Sequence, residues 1–318
     1  MLKIAFHTDT IDVRGTCVAI YDYAHYNETL LNNISTIVAP YSSILNNKNE
    51  DIAVKKFMSR FQVYFYNNLE DLENFISDCN IFYVIKYGKN NDIISKKIKT
   101  CIHCVFDMSE PHGDVYAGVS KSLVEKYNQT LYVPHMISLS PSTTNDNLRQ
   151  KLGIPSNAVV FSRYGGLDTF NLVFCFSVIE RIVNNTDDRF FLFINTPRFY
   201  NHPKIIYLDK VITDEEKNEF ICTSDAHLEC STLGHTFGLS IGEYSVNNKP
   251  IICYNGWTWN TNHLQILGDK AITFKDEEEF YNILINFDPS KYINQDNNCY
   301  KDYNPENVMK KFKDIFLD

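Results

Sequence analysis

A run of small residues, Gly234-His235-Thr236-Phe237-Gly238-Leu239, leads into a helical pattern that carries Glu243 and is followed from Pro250 by a buried apolar strand. A helix that begins after glycine presents unpaired backbone N–H groups and the positive end of its dipole, which suits a diphosphate. Glu243 falls one to two turns into that helix, where a carboxylate can accept hydrogen bonds from a ribose diol, as acidic residues do in dinucleotide folds. The same stretch holds Gly238-Leu239-Ser240-Ile241-Gly242, a match to the Gly-x-Ser-x-Gly elbow of serine hydrolases. A true elbow needs a strand running into it. Residues 232–237 are small and polar, so Ser240 is expected inside a helix and hydrolase chemistry is the lesser reading.

The elements that would position these groups alternate along the chain. Strand-like runs at 3–6, 36–38, 62–66, 81–85, 102–106 and 115–119 are separated by helical patterns, which predicts βαβ units and a parallel sheet. One such helix has its apolar face through Ala19, Tyr23, Tyr26 and Leu30, spaced four, three and four. Around 134–153 the composition turns to Ser, Thr, Pro, Asn and Asp, with a polar helical turn at 145–152, and reads as a connection. A second series follows: a strand at 158–161, a helix with Leu172, Cys175, Phe176, Ile179, Ile182 and Val183 on one face, and strands at 190–194, 205–208 and 250–253. Thr213 with Glu216 reads as a capping box, and 305–317 as an amphipathic helix. The expected fold is α/β, two Rossmann-like doubly wound domains facing across a cleft. The divisions are 1–137, a linker at 138–156, 157–300, and a C-terminal helix at 301–318 packing back on the first domain. Ligands of such folds sit at the carboxyl ends of the strands.

With Phe237-Gly238-Leu239, Glu243 and the strand from Pro250 in place, the chain resembles the family 4 type of GT-B glycosyltransferases. Their signature is Glu, seven residues, Glu. Here the second acid is Glu243, and His235 stands where the family has the first, which contacts the donor sugar. An imidazole can still donate and accept hydrogen bonds to sugar hydroxyls. Phe161-Ser162-Arg163-Tyr164-Gly165-Gly166 matches a second family segment, in which the arginine lies against the donor diphosphate. Asp168 occupies the position of the usual lysine. Phosphate neutralisation would then rest on Arg163, whose fork can grip oxygens bidentately, and on backbone amides near Thr236. Arg14-Gly15-Thr16 and Glu110-Pro111-His112-Gly113-Asp114 are similar to loops of a bacterial and viral-type subgroup. There Gly15 would approach the donor phosphate, with Thr16 beside it, and His112 would face donor sugar or acceptor.

The resemblance implies transfer of a sugar from a UDP- or GDP-sugar to a glycan or other hydroxyl acceptor, with retention of anomeric configuration. It implies no metal and no other cofactor, the leaving diphosphate being stabilised by positive charge and helix dipole. The sequence has no Asp-x-Asp. The implied catalytic residues are His235, Arg163 and His112. The implied donor-binding set is Gly15, Thr16, Arg163, Tyr164, Gly165, Gly166, His235, Thr236, Phe237, Gly238, Leu239 and Glu243. The changes at His235 and Asp168 keep two alternatives open, a GT-B sugar-nucleotide epimerase and a catalytically silent sugar-nucleotide-binding protein.

Composition removes other classes. At 318 residues with 44% hydrophobic content the chain can build two cores. A net charge of −9 with dispersed basic residues lacks the footprint that phosphate-backbone binding requires, so nucleic acid is not an expected partner. Gly-x-Gly-x-x-Gly and the P-loop motif are both missing from the sequence. No export signal or spanning run is read, and nine scattered cysteines, an odd number, suit a reducing, cytoplasmic setting. Cys101 and Cys104, three apart on one strand, point to opposite faces and are read as core thiols. Lys96, Lys97 and Lys99 read as a solvated face, with peripheral membrane contact as the alternative. His103 is read as a core histidine, and His263 as a helix-start or cleft residue.

Overall fold

Short apolar runs and the helices between them build two parallel sheets, one in each of two units formed by residues 1–138 with 303–318 and by residues 139–302. The computed structural model describes residues 1–45, 50–141, 148–209 and 213–318. Part of the polar connection, residues 142–147, lies outside the described residues, as do 210–212 just before the Thr213 cap.

The first unit holds β1 (Lys3–Thr8), β2 (Ile34–Pro40), β3 (Gln62–Tyr66), β4 (Ile81–Lys86), β5 (Lys99–Cys104) and β6 (Val115–Gly118), in the order β3-β2-β1-β4-β5-β6. Every pairing is parallel. Parallel sheets are covered on both faces, so all six residues of β4 are buried. Helix Gly15–Thr29 buries Cys17, Ala19, Ile20, Tyr23 and Ala24. Leu30, placed on that face by spacing, is instead the C-cap and stands 38% exposed. Strand β5 starts and ends earlier than the run at 102–106, pairing with β4 from Lys99 opposite Ile81 to Cys104 opposite Lys86. At the end of the chain, helix Pro305–Phe312 starts on the Asn304 cap with proline in its first turn, where the missing N–H costs nothing. Phe312 stacks on Tyr23 with ring centres 5.2 Å apart, and Phe316 meets Tyr83 and His103 at 5.3 Å each.

The second unit holds β7 (Val159–Arg163), β8 (Arg189–Ile194), β9 (Ile205–Leu208), β10 (Ala226–Glu229), β12 (Ile251–Tyr254) and β14 (Ile272–Phe274), in the order β14-β12-β10-β7-β8-β9. A separate two-stranded parallel element pairs β11 (Gly234–His235) with β13 (Asn260–Thr261). Helix Val173–Asn185 covers this sheet with Cys175, Val178, Ile179, Ile182 and Val183. The capping box at Thr213 and Glu216 forms, opening helix Asp214–Thr223. Counted within its own unit, each six-stranded sheet has the order 3-2-1-4-5-6. The chain therefore reverses direction across the sheet between β1 and β4 in the first unit, and between β7 and β10 in the second. Such reversals leave a crevice at the carboxyl ends of the strands. All nine cysteines are unpaired, and among the described residues no helix is long and apolar enough to cross a membrane.

Candidate functional site

In the second unit the chemistry gathers where β7 and β10 end, and on the helix that follows β11. Gly238 is the N-cap of helix Leu239–Val246 and adopts a left-handed backbone, φ 87°. A side chain there would be strained and would crowd Ile241 at 3.1 Å. The cap leaves the amides of the first turn without intrahelical acceptors. Phe237, just before it, is a core anchor whose carbonyl accepts from the Tyr300 hydroxyl at 2.8 Å. Thr236 is buried and Leu239 half-buried. Ser240 stands in the first helical turn, five residues after a strand of two residues, so no strand drives it into a nucleophile elbow.

Glu243 is buried, and both its oxygens are held. Tyr164 donates its hydroxyl to Oε2, and Lys217, from helix Asp214–Thr223, donates to Oε1 at 2.8 Å. Burial first, and the Glu243 charge second, push the Tyr164 phenol well above its ordinary value, so it stays a donor. A carboxylate has about four lone-pair directions, so these two donors leave room for a diol.

Arg163 ends β7 and is only 1% exposed. Nη2 donates to the Gly166 carbonyl at 2.5 Å and to Thr169 at 2.6 Å, while Nη1 donates to Thr196 at 2.6 Å and to the Asn195 carbonyl at 3.1 Å. Nε has no partner. A Cβ at Gly165 would come within 3.1 Å of Nη2, so the glycine makes room for the arginine. Arg163 thus organises the Gly165-Gly166 turn from below. Asp168 is an exposed member of that turn.

His235 lies beside a group that the sequence did not suggest. Its Nε2 is 3.0 Å from Oε1 of Glu229, an ion-pair distance without the alignment of a good hydrogen bond. Glu229 is 3% exposed at the end of β10, and its other oxygen is 3.9 Å from Nε2 of His227. Burial would raise this carboxyl, but the His235 and His227 imidazoles outweigh it and hold the group well below the usual carboxylate range. The His263 ring crosses that of His235 at 5.2 Å, and burial pushes it down to about 3. His227 packs on Tyr244 at 4.2 Å, and the Tyr244 hydroxyl shares a hydrogen with Ser162 at 2.6 Å.

The remaining anticipated residues, Gly15, Thr16 and His112, lie in the first unit. Gly15 and Thr16 form the first turn of their helix after a loop tied by Asp12, which accepts from the Arg14 amide at 2.8 Å. His112 Nδ1 donates to the Glu110 carbonyl at 2.6 Å, so Nε2 carries the lone pair, and it faces Lys86 Nζ at 3.4 Å. Lys86, the last residue of β4, is 3% exposed and also bonds Asn91. Burial lowers its ammonium, opposed most by Asp9. Nearby on β1, His7 bonds the Tyr66 hydroxyl at 2.8 Å. The rest of the Glu110–Asp114 loop is structural. Gly113, at φ 77°, passes too close to Ile102 and Thr100 for a side chain, and Asp114 accepts from the Thr100 amide at 2.7 Å.

Neither a protein-family model nor a curated protein matches the sequence. Solved structures do match in fold. A glycosyltransferase from Rickettsia africae superposes with a TM-score of 0.71 at 12% identity, over 100% of this chain and 99% of that one. Anabaena HepE in complex with UDP-glucose gives 0.67 at 11%, over 99% and 96%. A point mutant of S. aureus TarM, in complex with Fondaparinux, alpha-GlcNAc-glycerol and UDP, gives 0.66 at 9%, over 100% of both chains. The fold is therefore GT-B, two parallel-sheet α/β domains.

Proposed function

We propose that the chain is a glycosyltransferase of the family 4 type that moves a sugar from a nucleotide-sugar donor, with UDP as the carrier, to a hydroxyl acceptor. The observation that carries this reading is Glu243, held by Tyr164 and Lys217 one turn behind the Gly238-capped helix start. That is a ribose acceptor next to a diphosphate-sized set of free amides. Similarity in fold to HepE, solved with UDP-glucose, and to TarM, solved with UDP, supports UDP over other carriers.

In the proposed reaction the bond from the anomeric carbon to the diphosphate breaks as the acceptor oxygen bonds to the same face of that carbon. The leaving phosphate oxygen takes the acceptor proton, so no protein base is required. The first-turn amides and the dipole of helix Leu239–Val246 stabilise the departing charge, and Arg163 shapes the turn facing it. His235, steadied by Glu229, contacts the sugar. The sequence lacks an Asp-x-Asp site, which supports transfer without a metal.

Thermal shift against UDP, GDP, ADP and their sugars, with and without Mg²⁺, tests the reading. UDP is expected to raise the melting temperature in the absence of metal. Glu243→Ala should weaken UDP binding by about 1–3 kcal/mol, the cost of losing hydrogen bonds to a buried diol. Equal affinity in the variant would remove Glu243 from the site, and no shift with any nucleotide would sink the proposal.

A further inference from the structure

The chain has two tryptophans, Trp257 and Trp259, and both stand in solvent on the loop between β12 and β13, 63% and 59% exposed. Their rings meet edge to face with centres 4.9 Å apart. Leaving two indoles in water opposes the hydrophobic effect, and an apolar patch kept exposed marks a contact surface.

The loop is pinned on both sides. The Asn255 amide donates to the Phe274 carbonyl at 2.8 Å, and a side chain at Gly256 would collide with Tyr254. The Trp259 amide donates to the Thr232 carbonyl at 3.3 Å and the Asn260 amide to the Leu233 carbonyl at 3.1 Å. Gly234 passes so close to Asn260 that a side chain there would strike the Asn260 carbonyl. Strand β13 then runs in register with β11, Thr261 opposite His235. The backbone that carries the indoles is therefore tied beside the strand that carries His235.

The chemistry of the loop selects the occupant. Residues 255–262 read Asn-Gly-Trp-Thr-Trp-Asn-Thr-Asn, without a charged side chain. Adsorption to an anionic membrane draws on lysine and arginine, which this loop lacks. Indole faces attract the weakly positive C–H face of a pyranose, and amides and hydroxyls bond its ring hydroxyls. We infer that Trp257 and Trp259 form a stacking platform for a neutral glycan. That the glycan is the acceptor rests on the function proposed above; the binding itself does not.

Because the only indoles of the protein are on this loop, tryptophan emission reads the platform directly. The full chain is titrated with neutral gluco-, galacto-, manno- and N-acetylglucosamine oligosaccharides, with and without UDP, and with phosphatidylcholine vesicles with and without phosphatidylglycerol. A saturable change with at least one oligosaccharide supports the inference. Binding of that sugar, followed calorimetrically, should fall roughly tenfold or more in a Trp257→Ala, Trp259→Ala double variant and largely persist in the Tyr, Tyr variant. No response to any sugar, or a blue shift with vesicles alone, overturns it. UDP binding without glycan binding would leave the transferase reading standing and remove the platform. Glycan binding without nucleotide binding would do the reverse.

Discussion

Where its strand order reverses, the first sheet buries an ammonium, Lys86, beside an imidazole, His112, that burial holds below its ordinary pKa. At the equivalent place the second sheet buries a carboxylate, Glu229, between two imidazoles. Burial lowers the nearby Arg163 guanidinium, and the Glu229 charge is what most opposes that loss. The same topology thus supports two electrostatic solutions. In the first unit desolvation acts almost unopposed and strips protons from the groups it covers: His7 falls to about 3, His103 to about 4 and His135 to about 3. In the second, burial likewise lowers His227 and pushes His263 to about 3, but at Glu229 opposite charges answer it and the carboxylate stays ionised.

The largest consequence is acid sensitivity of the first unit. Burial keeps His103 neutral, and with its Nε2–H donated to the Val133 carbonyl at 2.9 Å its Nδ1 is left to accept from Tyr83 at 2.6 Å. Between the unfolded value of 6.5 and these folded values the unfolded chain binds more protons, so stability is highest above that value and is lost as pH falls. Each histidine contributes about 1.4 kcal/mol per pH unit, and the three together about 4 kcal/mol per unit across the middle of the window. His263 and His227 weaken the second unit in the same direction, so hydrogen exchange, which reads each unit separately, should show both units loosening and the first, with three such imidazoles, opening earlier as pH drops from about 6 to 4. His7→Phe should remove about one proton's worth of that slope. Simultaneous opening of both units would break the contrast.

Next comes Glu229. Truncation to Ala leaves the buried guanidinium without its counter-charge and should cost about 3–5 kcal/mol, seen as faster exchange in the second unit. Its folded pKa is depressed, so its contribution is full above the ordinary carboxylate range and is lost as pH falls below it. Glu229→Gln should therefore differ most from the parent near neutrality and least in strong acid. If Glu229→Gln costs no more than a surface change, the carboxylate is not what holds the imidazoles. If it spares stability but weakens UDP-sugar binding and not UDP binding, Glu229 acts through His235 on the sugar.

Parallel strands made of apolar runs were legible because burial on both faces writes them plainly, as in Ile81–Lys86. The 234–243 segment was legible because glycine, helix pattern and acid come in one stretch. Strand β10 escaped because two of its four residues, His227 and Glu229, are polar and yet buried. Periodicity treats such residues as solvent-facing, and only the pairing of Glu229 with His235, six residues on, explains their burial. Lys86 was hidden for the same reason, as a charge at the end of an apolar run. Arg163 shows a different limit. Its type predicts a phosphate grip, but direction is set by tertiary partners, and its two terminal nitrogens bond the Gly166–Thr169 turn and Asn195-Thr196.

The smallest effects separate the two helix starts. Gly238 is left-handed, so Gly238→Ala should cost about 1–2 kcal/mol before any ligand is considered. Gly15, the first residue of helix Gly15–Thr29, is exposed and is not among the residues with positive φ. Alanine fits a helix there, and Gly15→Ala should be neutral or stabilising by about 0.5 kcal/mol. Any loss it causes must therefore appear in binding. If the Gly15 backbone approaches the donor phosphates, Gly15→Ala will keep the melting temperature of the free protein and shrink the rise that UDP produces. An unchanged UDP response in Gly15→Ala would leave the phosphates to the second unit alone, with the Gly238 helix start as their site.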